Sequence, residues 1–198
     1  MAISARQFEE LQKRLSSTRK AAPINASSPK AKFDTVLGID PSLRGTGYGI
    51  IRLAKAAPSL VAHGTMSCPA GWERSRCLSH ITRTLRDVLK AHQPQVCVVE
   101  GLFYAQNFQT ALIMGEARGA SLATVADAGL DIYEIAPRKV KQAVVGYGAA
   151  QKVAVARMVQ RMLHLAEPPE PDAADALALA LAFAHEAGRP WLGGPKKI

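Results

Sequence analysis

Apolar residues come first in short continuous runs and later at helical spacing. Val36 to Ile39 is aliphatic apart from one glycine and closes on Asp40, which predicts a short strand buried on both faces. Thr46 to Leu53 and Leu60 to Met66 read as a second and a third strand, joined closely enough for hairpins. Between Trp72 and His92 the pattern changes. Leu78, Ile81, Leu85, Val88 and Leu89 recur at steps of three and four, which marks one apolar helix face. Gln95 to Glu100 is again a continuous apolar strand that ends in an acid. A helix is predicted from near Asn107 to about Ala128, a fifth strand over Asp131 to Ile135, and helices near Arg138–Val145, Ala150–Leu165 and Asp172–His185. A meander of three strands followed by helix-linked strands implies an α/β domain, a five-stranded mixed sheet flanked by helices.

The ends of the chain do not share this pattern. Residues 1–34 hold a short amphipathic stretch (Phe8, Leu11, Leu15) and then mainly Ser, Pro, Ala and Lys, so they read as a basic extension. Residues 188–198 read as a basic, unstructured tail, leaving 35–187 as the domain. The longest strictly apolar run, Ala176 to Ala184, is far short of the ~20 residues that span a bilayer. No apolar leader is visible, and Cys68, Cys77 and Cys97 form no C-x-x-C pair. These features point to a cytoplasmic protein with reduced thiols and no membrane partner.

Charge sharpens the picture through its placement. The net charge is +9 over 198 residues. Between Ile135 and Ala166 lie Arg138, Lys139, Lys141, Lys152, Arg157 and Arg161, with no acid among them. A solvated helix face normally intersperses acids and gains ion pairs four residues apart. A surface that binds phosphates needs cations segregated in this way, because each neutralised phosphate releases counterions. The stretch is therefore a candidate nucleic-acid face.

The acids of greatest interest stand where charge is costly. Asp172 and Asp175 open the apolar run PDAADALALALAFAH, and at helical spacing they share one face. Taken alone, Asp172 could be an N-cap with Asp175 three positions on, both favoured by the helix dipole. Asp40 alone could open an Asp-Pro turn, and Glu100 alone could be a solvated strand end. Taken together, three apolar elements each deliver carboxylate at a terminus, which favours a hard-oxygen site suited to Mg²⁺.

The glycine-rich GTGYG at 45–49 is neither a dinucleotide fingerprint nor a P-loop, since no helix opens after it and no G-K-[ST] follows. Its glycines are expected to permit a tight hairpin and close packing beside Asp40. The five histidines show no ligand spacing and read as ordinary surface residues.

Six motifs occur in one order: LGIDP at 37–41, RGTGYG at 44–49, VVE with LF at 98–103, MGEARGA at 114–120, APRKVKQAVVGYGAAQK at 136–152 and PDAADALALA at 171–180. With them the chain resembles the RuvC family of Holliday-junction resolvases, from about Val36 to His185. The resemblance implies a ribonuclease H-like fold and an endonuclease that resolves four-way DNA junctions by paired symmetric nicks. It implies that Asp40, Glu100, Asp172 and Asp175 are both the catalytic and the metal-binding tetrad. They would hold two Mg²⁺ ions per subunit, for which Mn²⁺ substitutes. It further implies that Lys141 and Lys152 face junction phosphates and that Phe103 reaches bases at the crossover, although core packing accounts for a lone Phe103 equally well; Arg138, from the acid-free stretch, is a further candidate DNA contact. A homodimer and a branch-migration helicase complex are the implied partners. The helix with Met114, Gly115 and Gly119 is the candidate dimer contact, because small residues allow close approach, though it could instead pack on the sheet.

Two departures carry expectations of their own. Ser42 and Leu43 stand where the family commonly has Gly-Ser, so a turn needing positive φ would be strained at Ser42. Gly101 follows Glu100 where a larger residue is common. The rival readings are a nuclease of the same fold acting on RNA or another branched substrate, and a catalytically silent junction-binding protein. An actin-like kinase half would need a second similar domain, for which the chain is too short.

Overall fold

The aliphatic runs form strands β1 (Thr35–Asp40), β2 (Gly45–Arg52), β3 (Ser59–Ser67), β4 (Val96–Glu100) and β5 (Asp131–Ile135). This computed structural model describes residues 33–54, 56–101, 108–187 and 195–198. Helices α1 (Arg74–His92) and α2 (Phe108–Asp127) precede and follow β4, and α3 (Pro137–Val145), α4 (Lys152–Met162) and α5 (Pro171–Ala187) come after β5. The expected mixed sheet is present, with β2 antiparallel to both β1 and β3, and with β1, β4 and β5 parallel.

The tail departs from its expectation. Lys196–Lys197 forms a short sixth strand, β6, antiparallel to β5, giving the order β3-β2-β1-β4-β5-β6. The sequence hides it because a two-residue strand has no periodicity. Lys197 is also tied to Asp131 by a 2.8 Å ion pair. The amphipathic stretch around Phe8, Leu11 and Leu15 lies outside the described residues.

Alternation along each strand splits the core into two layers. Leu37, Ile39, Ile50, Cys97 and Val99 face the layer closed by Ile81 and Leu85 of α1 and Val125 of α2. Val36, Ile51, Val96 and Val98 face the other, closed by Val140 of α3, Val155 of α4 and Leu177 and Leu181 of α5. All three cysteines are free and buried, and burial lifts the Cys68 thiol to about 11.

The closest packing lies under α5. A Cβ placed on Gly38 would stand 2.0 Å from the Ala176 carbonyl oxygen, and one on Gly47 would stand 1.9 Å from that of Asp172. Ala173, Ala176 and Ala180 meet this floor and are wholly buried. With bare strand below and small side chains above, α5 lies almost backbone to backbone on β1 and β2. The glycines of 45–49 thus belong to β2 itself, not to a hairpin turn, and their use is the close approach.

The turn after Asp40 is built without strain. Among the described residues, the non-glycine positions with positive φ are Gln93 and His164, so Ser42 needs none. The Ser42 amide donates to Thr46 Oγ1 at 3.2 Å, and the Thr46 hydroxyl donates back to the Ser42 carbonyl at 2.6 Å. Leu43 is buried in the core, so its substitution for a small polar residue anchors the turn from below. His164, at φ 53°, stops α4 at Met162 instead of letting it run to Leu165.

Candidate active site

Parallel neighbours end at the same edge of a sheet, and this sets the first two acids. Ile39 pairs with Val99 in the β1–β4 register, so Asp40 and Glu100 leave the sheet side by side. Gly47 pairs with Asp40 across β1 and β2, and the Asp172 carbonyl lies on Gly47. The glycine floor therefore sets the start of α5, and with it Asp172 and Asp175, directly over Asp40. The Ala174 amide donates to the Glu170 carbonyl at 2.8 Å, so the helix opens at Glu170 with Pro171 in its first position. Asp172 sits inside the first turn and is not the N-cap.

All four acids line one cleft of about 360 Å³, together with Lys141 of α3 and Lys152 of α4. Burial, and then the charges of Glu100 and Asp175, push Asp40 up to about 7, although Lys152 pulls it down. Burial and then Asp175 also raise Glu100 above the usual carboxylate range. Burial raises Asp172, with Asp175 adding to it and Lys152 opposing. The Lys152 ammonium donates to Asp175 Oδ2 at 2.6 Å, a contact that raises the lysine.

This arrangement has more negative charge than its own lysines offset. The donor set is all carboxylate oxygen, which suits a hard divalent cation. Among the described residues, however, no three Asp, Glu, His or Cys side chains are already gathered round one metal position. Lys152 holds one carboxylate oxygen of Asp175, Oδ2, at 2.6 Å. The chemistry of the four carboxylates nonetheless fits a hard divalent cation.

Other expected residues are placed differently. Arg138 is exposed and packs against Gly148, outside the residues that line the cleft. Phe103 lies outside the described residues. Gly115 and Gly119 face open space on α2, near exposed Phe108 and Leu112, so that face does not pack on the sheet. Reading by sequence overlooked Arg118, which is buried on the inner face of α2 and donates to the Glu100 carbonyl. Its signal was a lone cation among Ala117, Ser121 and Val125 at helical spacing.

A mixed sheet with carboxylates at the ends of two adjacent central strands, and a helix laying two more above them, defines a ribonuclease H-like hydrolase site. Comparison with known proteins narrows this. The family model for crossover junction endodeoxyribonuclease RuvC matches residues 36–185. The RuvC of Syntrophomonas wolfei is 44% identical over 151 residues, covering 76% of this chain and 88% of its own. That of Caldanaerobacter subterraneus is 40% identical over 151 residues, covering 76% and 92%. The structure of T. thermophilus RuvC in complex with Holliday junction substrate superposes with a TM-score of 0.75 at 32% identity, covering 83% of this chain and 99% of that one. The yeast mitochondrial Holliday junction resolvase Ydc2, at 12% identity and a TM-score of 0.54, shares the fold alone. The chain belongs to the RuvC family of crossover junction endodeoxyribonucleases.

Proposed function

We propose that the protein resolves four-way DNA junctions by metal-dependent hydrolysis of two symmetry-related strands, one in each subunit of a homodimer. The observation that carries this reading is one cleft in which Asp40, Glu100, Asp172 and Asp175 face Lys141 and Lys152, in a chain whose match to RuvC spans the whole domain. The solved relative bound to a Holliday junction supports the substrate.

Each residue has a part that follows from its position. The acid-free surface of α3 and α4 attracts the phosphate backbone, and Lys141 and Lys152 lead it to the cleft. The clustered carboxylates repel a phosphodiester unless their charge is offset, so strand entry and metal occupancy are coupled. Mg²⁺ ions held by the four acids, two per subunit and replaceable by Mn²⁺, would supply an activated water and stabilise the leaving 3′-oxygen. Lys152 holds one oxygen of Asp175, so that acid would offer a cation its other oxygen, and an arriving phosphate gives the ammonium a second anion to hold. Asp40 lies deepest and feels both Glu100 and Asp175, so it would be a ligand at the centre of the site. Phe103 is proposed to stack on a base at the crossover, worth ~1–3 kcal/mol, and Arg138 to hold phosphate outside the cleft.

Two sites cutting two related strands require two-fold symmetry, and the exposed Phe108–Leu112 face of α2 with Gly115 and Gly119 is the proposed contact. A branch-migration helicase partner and a cytoplasmic location complete the reading. No helix among the described residues is long and apolar enough to cross a membrane. The test uses purified protein with an end-labelled four-way junction, a matched duplex and an RNA–DNA hybrid, each with Mg²⁺ and with chelator. Symmetric nicks in the junction alone, leaving 5′-phosphates, are expected. Preferential cutting of the hybrid would establish an RNA-directed nuclease, and junction binding without incision a silent binder.

A further inference from the structure

Helix α2 carries one cation into the interior. Arg118 is 6% exposed, and since a guanidinium cannot shed its proton there, its donors must find acceptors. Nη1 donates to the main-chain carbonyl of Glu100. Nη2 donates to Glu134 Oε2 at 2.6 Å. Glu134 lies on β5 opposite Val99, so the guanidinium joins α2 to β5 across the end of β4. The chain leaves the sheet at this point, with the Gly101 amide donating to the Ile135 carbonyl at 2.8 Å. A Cβ on Gly101 would meet Glu134 Oε1 at 3.2 Å, so the bare backbone after Glu100 leaves room for the brace. Arg118 also lines a hollow of about 130 Å³ whose other walls include Asp40 and Glu100, and thus it approaches the carboxylates from behind.

Stability alone does not account for this pair. Burying the guanidinium costs its hydration, and a half-exposed Glu134 returns little of that in Coulomb energy, so the pair gains little over apolar packing. What the fork adds is direction: holding the Glu100 carbonyl fixes the peptide plane, and so the angle at which the Glu100 side chain leaves the strand. We infer that Arg118, braced by Glu134, is a positioning residue that holds the Glu100 carboxylate in its metal-binding orientation. The inference rests on the proposed role of Glu100 as a ligand.

The test compares Arg118→Met, Arg118→Lys and Glu134→Gln with the wild type. It measures Mn²⁺ binding to the metal-free protein by calorimetry, single-turnover junction cleavage, junction affinity in chelator, and melting. Arg118→Met should weaken Mn²⁺ binding and slow cleavage, each by about 10–100-fold, which is the usual cost of losing a partner behind a metal ligand. Junction affinity in chelator should stay at the wild-type value. Lysine keeps the charge but not the planar fork, so Arg118→Lys should recover part of both losses. Glu134→Gln keeps an acceptor and should lose less than Arg118→Met. Unchanged Mn²⁺ affinity and cleavage rate in a folded Arg118→Met protein overturn the inference. If that variant does not fold, Arg118→Lys decides by the same two readings. A wild type that binds Mn²⁺ but cuts no junction refutes the proposed nuclease instead, and Mn²⁺ affinity alone then judges Arg118.

Discussion

Replacing Gly47 with alanine tests whether the bare floor of β2 places the α5 carboxylates over Asp40 and Glu100. The added Cβ would lie 1.9 Å from the Asp172 carbonyl oxygen, while real Cβ atoms essentially never approach within 3.0 Å, so the start of α5 must rise by at least about 1.1 Å. That end of the helix carries Asp172 and Asp175, whereas Asp40 and Glu100 stay on the sheet. A misplacement of ~1 Å at a reacting centre can cost ~100-fold in rate. Forced overpacking costs ~1–3 kcal/mol, which in a chain of this size lowers Tm by roughly 2–4 °C per kcal/mol. Gly47→Ala should therefore cut single-turnover junction cleavage by about two orders of magnitude at saturating Mg²⁺. The loss of stability should be modest, and affinity for the junction should be kept. Gly71→Ala is the control, because a Cβ there meets nothing within 4 Å. Cleavage and Tm both at wild-type values in Gly47→Ala would refute the argument, since the helix could then sit equally well on a methyl group.

Asp40→Asn, Glu100→Gln, Asp172→Asn and Asp175→Asn should each abolish cleavage while leaving folding and junction binding intact; near-normal cutting by both helix variants in Mg²⁺ would remove them from the metal site. Asp40 also predicts a pH dependence in chelator. Its carboxyl is lifted from 3.8 to about 7, so the folded state holds the proton more tightly. This group therefore costs nothing below pH 4, takes stability away as pH rises from about 4 to 7, and has its full effect above. The ceiling is about 4 kcal/mol by the usual conversion, so Asp40→Asn should melt higher than wild type at pH 8 but not at pH 4, and parallel Tm–pH curves would contradict this. Lys141→Ala and Lys152→Ala should each weaken junction binding for all sequences and lower the log K versus log [salt] slope by up to ~1; unchanged slopes would mean that neither touches phosphate.

The sequence by itself determined the first five strands, the helices to within a few residues at their ends, and the identity of the acids, because these depend on local pattern. VLGID and VCVVE are continuous apolar runs closed by a carboxylate, and the Leu78–Leu89 spacing requires a helix whatever it packs on. It could not decide between capping and metal binding for Asp172 and Asp175, since both uses favour an acid in the first turn of a helix. Tertiary structure removed the capping role from Asp172, which lies inside the first turn, and the docking of α5 on Gly38 and Gly47 brings both acids into one cleft with Asp40 and Glu100. The same holds for Ser42–Leu43, where a departure from the family turn proves to be a buried anchor and a threonine-braced loop without positive φ. Arg118 lay in plain view within MGEARGA, yet its partners come from β4 and β5, and no spacing along α2 names them. Local periodicity sets which face of an element is buried. Which charged groups then meet depends on long-range contacts and on the absence of a few side chains, and that is settled only when the layers close.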